Sequence, residues 1–374
     1  MPRLDRKRDA STGQHAATRL ILITVITAFV GCDAIQKAAD SAGGGSDAEV
    51  AAPDIPPPAD PSGSPTIGAE PAQAPTMNGP VAPAPSPEQQ LTEILNRQLN
   101  TLSDNDVRTL IDLKTVNATI LQLDLRGSQL TAETVAGLAT LPGLRQLDLS
   151  GTGWSPDAWA ALGQVTQLES LDLTNCPIDD QTAAFLRSLT GLKRLSLAGT
   201  RITDQAFHHL TSLGQLEEFD VGSTQITGAG FEALGAKGAH APLRKIVVIR
   251  TGFGQFGPLH LHNFRDLEEL GAAGCGLTDD GVQLVKNCDH LQRLYISGNS
   301  LTDKGLRFLS GMKELETLDV SGMIYVSNAT LERIKDLKTL RDVNISGSGC
   351  NQQGIQALKG FLPECRILMD GGTY

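Results

Sequence analysis

One figure of apolar and polar positions returns along most of the chain. In "LKRLSLAGTRITDQAF", residues 192–207, Leu195 and Leu197 flank Ser196, so the two leucines share one face of an extended segment while Arg194 and Ser196 take the other. The first member of this pair recurs at Leu123, Leu147, Leu171, Leu195, Phe219, Ile246, Leu270, Leu294, Leu318, Val343 and Cys365, mostly in steps of 24 residues. Each copy therefore predicts a short strand. A small or polar residue follows at Ser128, Thr152, Cys176, Thr200, Thr224, Thr251, Cys275 and Asn299, a place suited to turning inward and satisfying backbone groups at a bend. Next come Thr131, Ser155, Asp179, Thr203, Thr227, Thr278, Thr302, Ser327 and Asn351, whose side-chain oxygens can accept from the first N–H groups of a helix. Apolar residues at helical spacing complete each copy, as in Phe207, Leu210, Leu213 and Leu216, or Val282, Val285, Cys288 and Leu291. The acids of Thr203-Asp204, Thr278-Asp279 and Thr302-Asp303 fall where a helix dipole is positive.

A period near 24 sustained over residues 120–374, about 11 strands, is the signature of a solenoid. The units resemble those of bacterial leucine-rich repeat proteins of the "ITDxGL" type, similar in turn to the cysteine-containing repeats of F-box substrate receptors. "LTDDGVQLVKNCDHLQRL", residues 277–294, carries the likeness furthest, with Cys288 at that class's cysteine position. No F-box-like segment precedes the repeats, so ubiquitin-ligase chemistry does not follow. The resemblance implies an α/β fold, a leucine-rich repeat solenoid or horseshoe with a parallel β-sheet on the concave face and helices on the convex face. Residues 88–119, with "EQQLTEILNRQL" and "SDNDVRTLIDL", read as a helical cap shielding the first repeat.

The pattern is different upstream. Arg3, Arg6, Lys7 and Arg8 precede the apolar run "LILITVITAFVG", residues 20–31, which is too short to span a bilayer as a mature helix and reads as an export signal. "FVGC" resembles the bacterial lipoprotein box, with Phe29 where Leu is usual, so residues 1–32 are expected to be a lipoprotein signal and Cys32 the lipidated residue. Asp33 resembles the inner-membrane retention signal of double-membrane bacteria. Residues 33–87 turn to Ala, Gly, Ser and Pro, a composition that buries too little apolar surface to fold and forms a tether. The expected location is the cell envelope, on the periplasmic or surface face of a membrane reached through the lipid.

Charge narrows the partners. The formal net charge is −11, and five of the 31 basic groups lie in the first nineteen residues beside two of the 42 acids, so the remainder is more acidic still. Such a chain repels phosphate backbones, which argues against a nucleic-acid partner. Apart from Cys32, the cysteines occupy core or ladder positions of the repeat, and no C-x-x-C occurs, so buried thiols are expected in place of disulfides or zinc.

Two motifs suggest chemistry. "GFGQFG", residues 252–257, follows the strand-like "KIVVIR" as a dinucleotide-binding turn would, which opens a nucleotide-using enzyme as a third reading. The repeat register explains the same residues: Ile246 and Val248 are the inward pair, Thr251 the ladder residue, Phe253 the apolar residue after it. His260 and His262 at i and i+2, and His208 and His209, lack the i+3 or i+4 spacing of helix metal ligands. No enzyme, metal or cofactor is expected.

The outward strand positions read Asp124, Asp148, Asp172, Ser196, Asp220, Val247, Gly271, Tyr295, Asp319 and Asn344. The acid gives way at Val247, Gly271 and Tyr295, and the next outward row offers Ile249 and Ala273 beside Ser297. Lys245, Glu269 and Arg293 rim this strip. A three-residue excess in "GAKGAH" and the loss of a capping oxygen at Gly254 fall in the same region. An apolar centre with a charged rim is the anatomy of a protein interface. The sequence thus predicts protein–protein recognition at Lys245, Val247, Ile249, Glu269, Gly271, Ala273, Arg293 and Tyr295. The alternative is a carbohydrate or cell-wall module, for which a row of exposed aromatics would be expected.

Overall fold

The computed structural model describes residues 102–113, 120–236 and 241–374, with positions 85, 86, 89, 90, 93 and 94. The leader, Cys32 and nearly all of the 33–87 tether lie outside the described residues, as do most of the first capping segment and residues 237–240 of "GAKGAH". Among the described residues no helix is long and apolar enough to cross a membrane.

Each L-x-L pair forms a strand: β1 (Gln122–Asp124), β2 (Gln146–Asp148), β3 (Ser170–Asp172), β4 (Arg194–Ser196), β5 (Glu218–Asp220), β6 (Lys245–Val247), β7 (Glu269–Gly271), β8 (Arg293–Tyr295), β9 (Thr317–Asp319), β10 (Asp342–Asn344) and β11 (Arg366–Met369). They pair in parallel in chain order, with like repeat positions opposite one another, for example Ile246 with Leu270 and Leu270 with Leu294. The chain is a leucine-rich repeat solenoid, its parallel sheet on one face and its helices on the other. The central apolar residues are buried throughout, and the flanking residues are more exposed except Ser196 and Gly271, as the period of two requires.

Two sequence expectations are corrected at the C-terminal end. The register places Ile367, not Cys365, opposite Val343, because this copy is one residue shorter before its strand; Cys365 is buried just ahead of it. A twelfth strand, β12 (Gly372–Thr373), turns back through Asp370 and Gly371, both at positive φ, and pairs antiparallel with β11.

The ladder residues behave as their size and polarity predict. Thr200 and Thr224 hydroxyls donate to Leu197 O and Val221 O at 2.6 Å each. Asn299 Nδ2 donates to Ala272 O at 2.8 Å, while its Oδ1 accepts from the Leu277 N–H at 2.9 Å, so one amide binds two repeats. Capping oxygens accept from helical N–H groups at Thr131, Ser155, Asp179, Thr203, Thr278, Thr302, Ser327 and Asn351. Thr227 departs from this pattern. Its hydroxyl donates to Asp204 instead, and its helix starts only at Phe231. The convex segments are also shorter than full helices, several being 3₁₀ turns such as Thr182–Ser188, because a 24-residue period leaves room for only one or two turns.

The residue after each cap bonds forward to the next repeat. Asp104 accepts from the N–H and hydroxyl of Thr131, Asp180 from Thr203, Asp204 from Thr227, Asp279 from Thr302 and Asp303 from Ser327, at 2.6–3.1 Å. Asn328 does the same for the Asn351 N–H. From sequence, Asp204, Asp279 and Asp303 were expected to serve a helix dipole; the forward bond is a further task. Where Ala132, Pro156, Gly228 or Gln255 stands in that place, no such bond forms among the described residues, and aromatic rings join the repeats. Trp154, Trp159 and Phe185 stack across the first gap, with Trp154 Nε1 donating to Ser128 O at 3.1 Å. Phe231 meets Phe253 and Phe264 edge-on across the second, with ring centres 5.4 and 6.0 Å away, and Phe207 at 5.1 Å across the junction that Asp204 also bonds.

Candidate functional site: the concave strand face

After each strand the chain bends through a left-handed residue, usually glycine, as at Gly151, Gly199 and Gly298, but Asn175, Ser223 and Arg250 in three repeats. The outward aspartates hold this bend. Asp148 Oδ1 accepts from the Ser150 N–H at 2.9 Å, Asp172 from Thr174 at 2.8 Å, Asp220 from Gly222 at 2.8 Å and Asp319 from Ser321 at 2.9 Å. The acidic ladder therefore has a local structural task in every repeat that carries it. Burial raises the carboxyl pKa of Asp148, with the charges of Asp172 and Asp124 adding to it against the Ser150 bonds. Burial likewise raises Asp319. At Asp220 burial, opposed by the Gly222 N–H and reinforced by Asp172, pushes the pKa up to about 6.

The strip at β6–β8 is built differently. Gly271 is buried and forms its floor: a Cβ there would stand 3.5 Å from both methyls of Val247 and 3.7 Å from Ile249 Cδ1, ordinary contact distances. The sequence reading counted Gly271 among the contacting residues; it is buried instead, beside Val247 and Ile249. Val247, Ile249, Ala273 and Tyr295 are all partly exposed around it. Below them Glu269 receives Lys245 Nζ at 2.8 Å and Arg293 Nε at 2.6 Å. Burial would raise its pKa, yet the hydrogen bonds from Lys245 and Arg293 outweigh that and hold it below the ordinary glutamate value. Lys245, Glu269 and Arg293 are thus one joined group, and of the eight residues named from sequence six lie on three adjacent strands, with Ile249 and Ala273 two residues past the ends of β6 and β7.

The dinucleotide-like turn is filled by the protein itself. A Cβ at Gly254 would lie 2.3 Å from the Gly276 carbonyl, and one at Gly257 would lie 2.1 Å from the Phe253 ring. The N–H groups of Gly252, Gly254, Gln255, Phe256 and Gly257 donate to Ile226, Cys275, Gly252, Thr227 and Phe253 carbonyls, which leaves none of them to hold a phosphate. His262 Nδ1 pairs with Leu259 O at 2.8 Å and His209 Nδ1 with Arg187 at 2.7 Å. No group of three His, Cys, Asp or Glu side chains able to hold a metal occurs among the described residues. The five described cysteines are free thiols.

Sequence reasoning missed one exposed apolar feature. Ile324 and Tyr325 stand 69% and 68% exposed on the loop after β9, where the step from Leu318 to Val343 is one residue longer than the period. That extra residue was the available signal.

The leucine-rich repeat family model matches residues 287–310, one turn of the solenoid including Cys288. No curated protein sequence matches the chain. Among solved structures it is similar to a leucine-rich repeat protein of Leptospira interrogans, at 14% identity over 64% of this chain and 75% of that one, with a TM-score of 0.40. It is similar also to an internalin of Listeria monocytogenes, at 15% identity over 76% of this chain and 94% of that one, with a TM-score of 0.45. A TDR receptor is 18% identical over 72% of this chain and 50% of its own length, with a TM-score of 0.47.

Proposed function

We propose that the chain is a scaffold for protein–protein recognition, anchored at the cell envelope through a lipid on Cys32, and that its partner docks on the concave strip of β6–β8. The observation that carries this reading is the interruption of the aspartate row. Five repeats place at that position an acid that bonds the following bend, and β6, β7 and β8 replace it with Val247, Gly271 and Tyr295, of which Val247 and Tyr295 are partly exposed. Single apolar residues on a surface need no explanation; a contiguous set over a fixed ion network fits an anchor and its rim. Tyr295 is the one aromatic among the outward strand positions, which favours a protein over an extended sugar chain stacked on rings.

The test is photo-crosslinking from a reactive residue introduced at Val247 in the native cell envelope, followed by affinity measurement with the protein it captures. Tyr295→Ala and Val247→Asp should each weaken that complex by ~1–3 kcal/mol, and Asp148→Ala should change it little. A complex sensitive at Asp148 and indifferent at Tyr295 would move the site to the N-terminal repeats and refute the reading.

A further inference from the structure

At the left-handed bend that follows each strand from β1 to β10, glycine stands seven times, and the other three residues are Asn175, Ser223 and Arg250. Glycine takes that conformation freely, whereas a Cβ crowds the backbone there. Asn is the side chain that visits the region most readily, and Ser is short. Arg250, at φ 56°, is neither. Residues held in this way gather at functional sites, where the surrounding fold sustains the strain. The fold itself makes no use of the Arg250 charge. Its backbone N–H donates to Ala273 O at 2.9 Å, and its stem lies over the next bend, with Cγ 4.0 Å from where a Gly274 Cβ would stand. The residue is exposed, and among the described residues its guanidinium makes no ion pair or side-chain hydrogen bond. Nearby cations are committed by contrast, Arg244 to Glu268 and both Lys245 and Arg293 to Glu269. The cation whose charge bears on Asp220 is Lys245. Val247 replaces the bend aspartate of this repeat, so β6 and its bend offer Arg250 no acid.

We infer that Arg250 is the specificity charge of the β6–β8 docking surface, where its guanidinium receives one carboxylate of the partner protein beside the apolar contact at Ile249 and Ala273. This rests on the docking reading. A guanidinium presents paired donors in one plane that match the two oxygens of a carboxylate, and an arginine beside apolar surface is a residue type on which interfaces concentrate their energy. The acids of the outward row limit how many carboxylates the partner can bring. Asp220 lies one strand before Val247, and Asp319 three strands beyond it. A partner acid is therefore disfavoured along the row and accepted at Arg250, while a partner cation at Arg250 is refused. One charge thus fixes the register in which the partner lies.

The probe is the protein captured by the crosslink at Val247, titrated against the full chain and its variants. Arg250→Gln should weaken the complex at least tenfold, Arg250→Glu more than that, and Arg250→Lys less. Added salt should weaken the unaltered complex more steeply than the Arg250→Gln complex. Arg250→Gly removes charge and strain together: it should weaken binding as Arg250→Gln does, while the melting temperature of the chain alone stays level or rises. Neutralising the partner's carboxylates one at a time should reveal one whose loss costs as much as Arg250→Gln and adds nothing to it in the double variant. A lower melting temperature in Arg250→Gly beside unchanged affinity would make Arg250 a structural residue and overturn the inference. Loss of binding without coupling to any partner carboxylate would do the same. So would phosphatidylglycerol vesicles that displace the partner from the unaltered chain and not from Arg250→Gln, since the guanidinium would then serve a lipid phosphate. Unchanged affinity in Arg250→Gln beside an intact crosslink would overturn this chemistry and leave the docking reading; absence of the crosslink would overturn that reading and this inference with it.

Discussion

Asp220 sits between two demands. Its Oδ1 is needed by the Gly222 N–H, yet burial and the neighbouring Asp172 disfavour its charge and put its pKa near 6. A carboxyl whose pKa is raised on folding binds its proton more firmly in the folded chain, so its contribution is fully present below the unfolded value near ~4 and is lost as the pH rises through about 6. Asp220→Asn keeps the acceptor and removes the charge. It should raise stability at pH 7 by roughly 1–2 kcal/mol and leave it unchanged at pH 4, as thermal melts at the two pH values would read. A loss at pH 7 would mean the charge itself supports the fold. The cysteines give a second expectation, since burial pushes Cys288 up to about 12 and Cys275 and Cys365 up to about 11. Reductant should leave the melting temperature of the repeats unmoved, and a thiol reagent should reach these three only after denaturation. Residue identities were legible here, and some of their tasks were not. The aspartates were readable as a row, but the bond from Asp204 to Thr227 joins positions 23 residues apart, and a register of caps does not display who accepts from whom.

At the level of elements, strands and ladder residues were legible because period two and a fixed inward position are properties of spacing. Helix lengths were not, since Leu213 and Leu216 stay buried after the helix has ended at Leu210. The aromatic cluster was also hidden: Phe207 and Phe231 share one repeat position, but Phe219, Phe253 and Phe264 fill three others, and the five converge only in three dimensions. Phe231 is its hub, fully buried and in ring contact with the other four. Because Phe231 joins the repeat that follows Asp204 to the next one, where Gly228 offers no forward bond, Phe231→Ala should cost ~3–5 kcal/mol, read as a lower urea midpoint, and should speed hydrogen exchange first in residues 241–262. A cost no larger than an ordinary methylene deletion would show that the junction is held by something else.

For the whole molecule, a solenoid gathers its stability from neighbour to neighbour, so that each repeat depends on the two it touches. The proposed lipid and tether are a separate matter and rest on the basic leader, the short apolar run and Gly31-Cys32. Mass spectrometry of the mature N-terminus should find an acylated Cys32 and no residue before it; an unmodified peptide reading through Cys32 would remove the anchor and leave the recognition face as it is. The fold was legible at this scale because repetition multiplies a weak local signal, and the proposed docking strip was visible only as a lapse in that repetition. The forward bonds also have a consequence for descent. Asp279 lies in one repeat and the Thr302 it holds in the next, while the chain between them carries β8. A duplication cut at any point of the 24-residue period would copy two half-junctions that still match wherever an acid or Asn328 follows the cap, and would splice mismatched ones at Ala132, Pro156, Gly228 or Gln255. Repeat copying would thus preserve the junctions along residues 279–351 and disturb them at those four places, two of which border the strip.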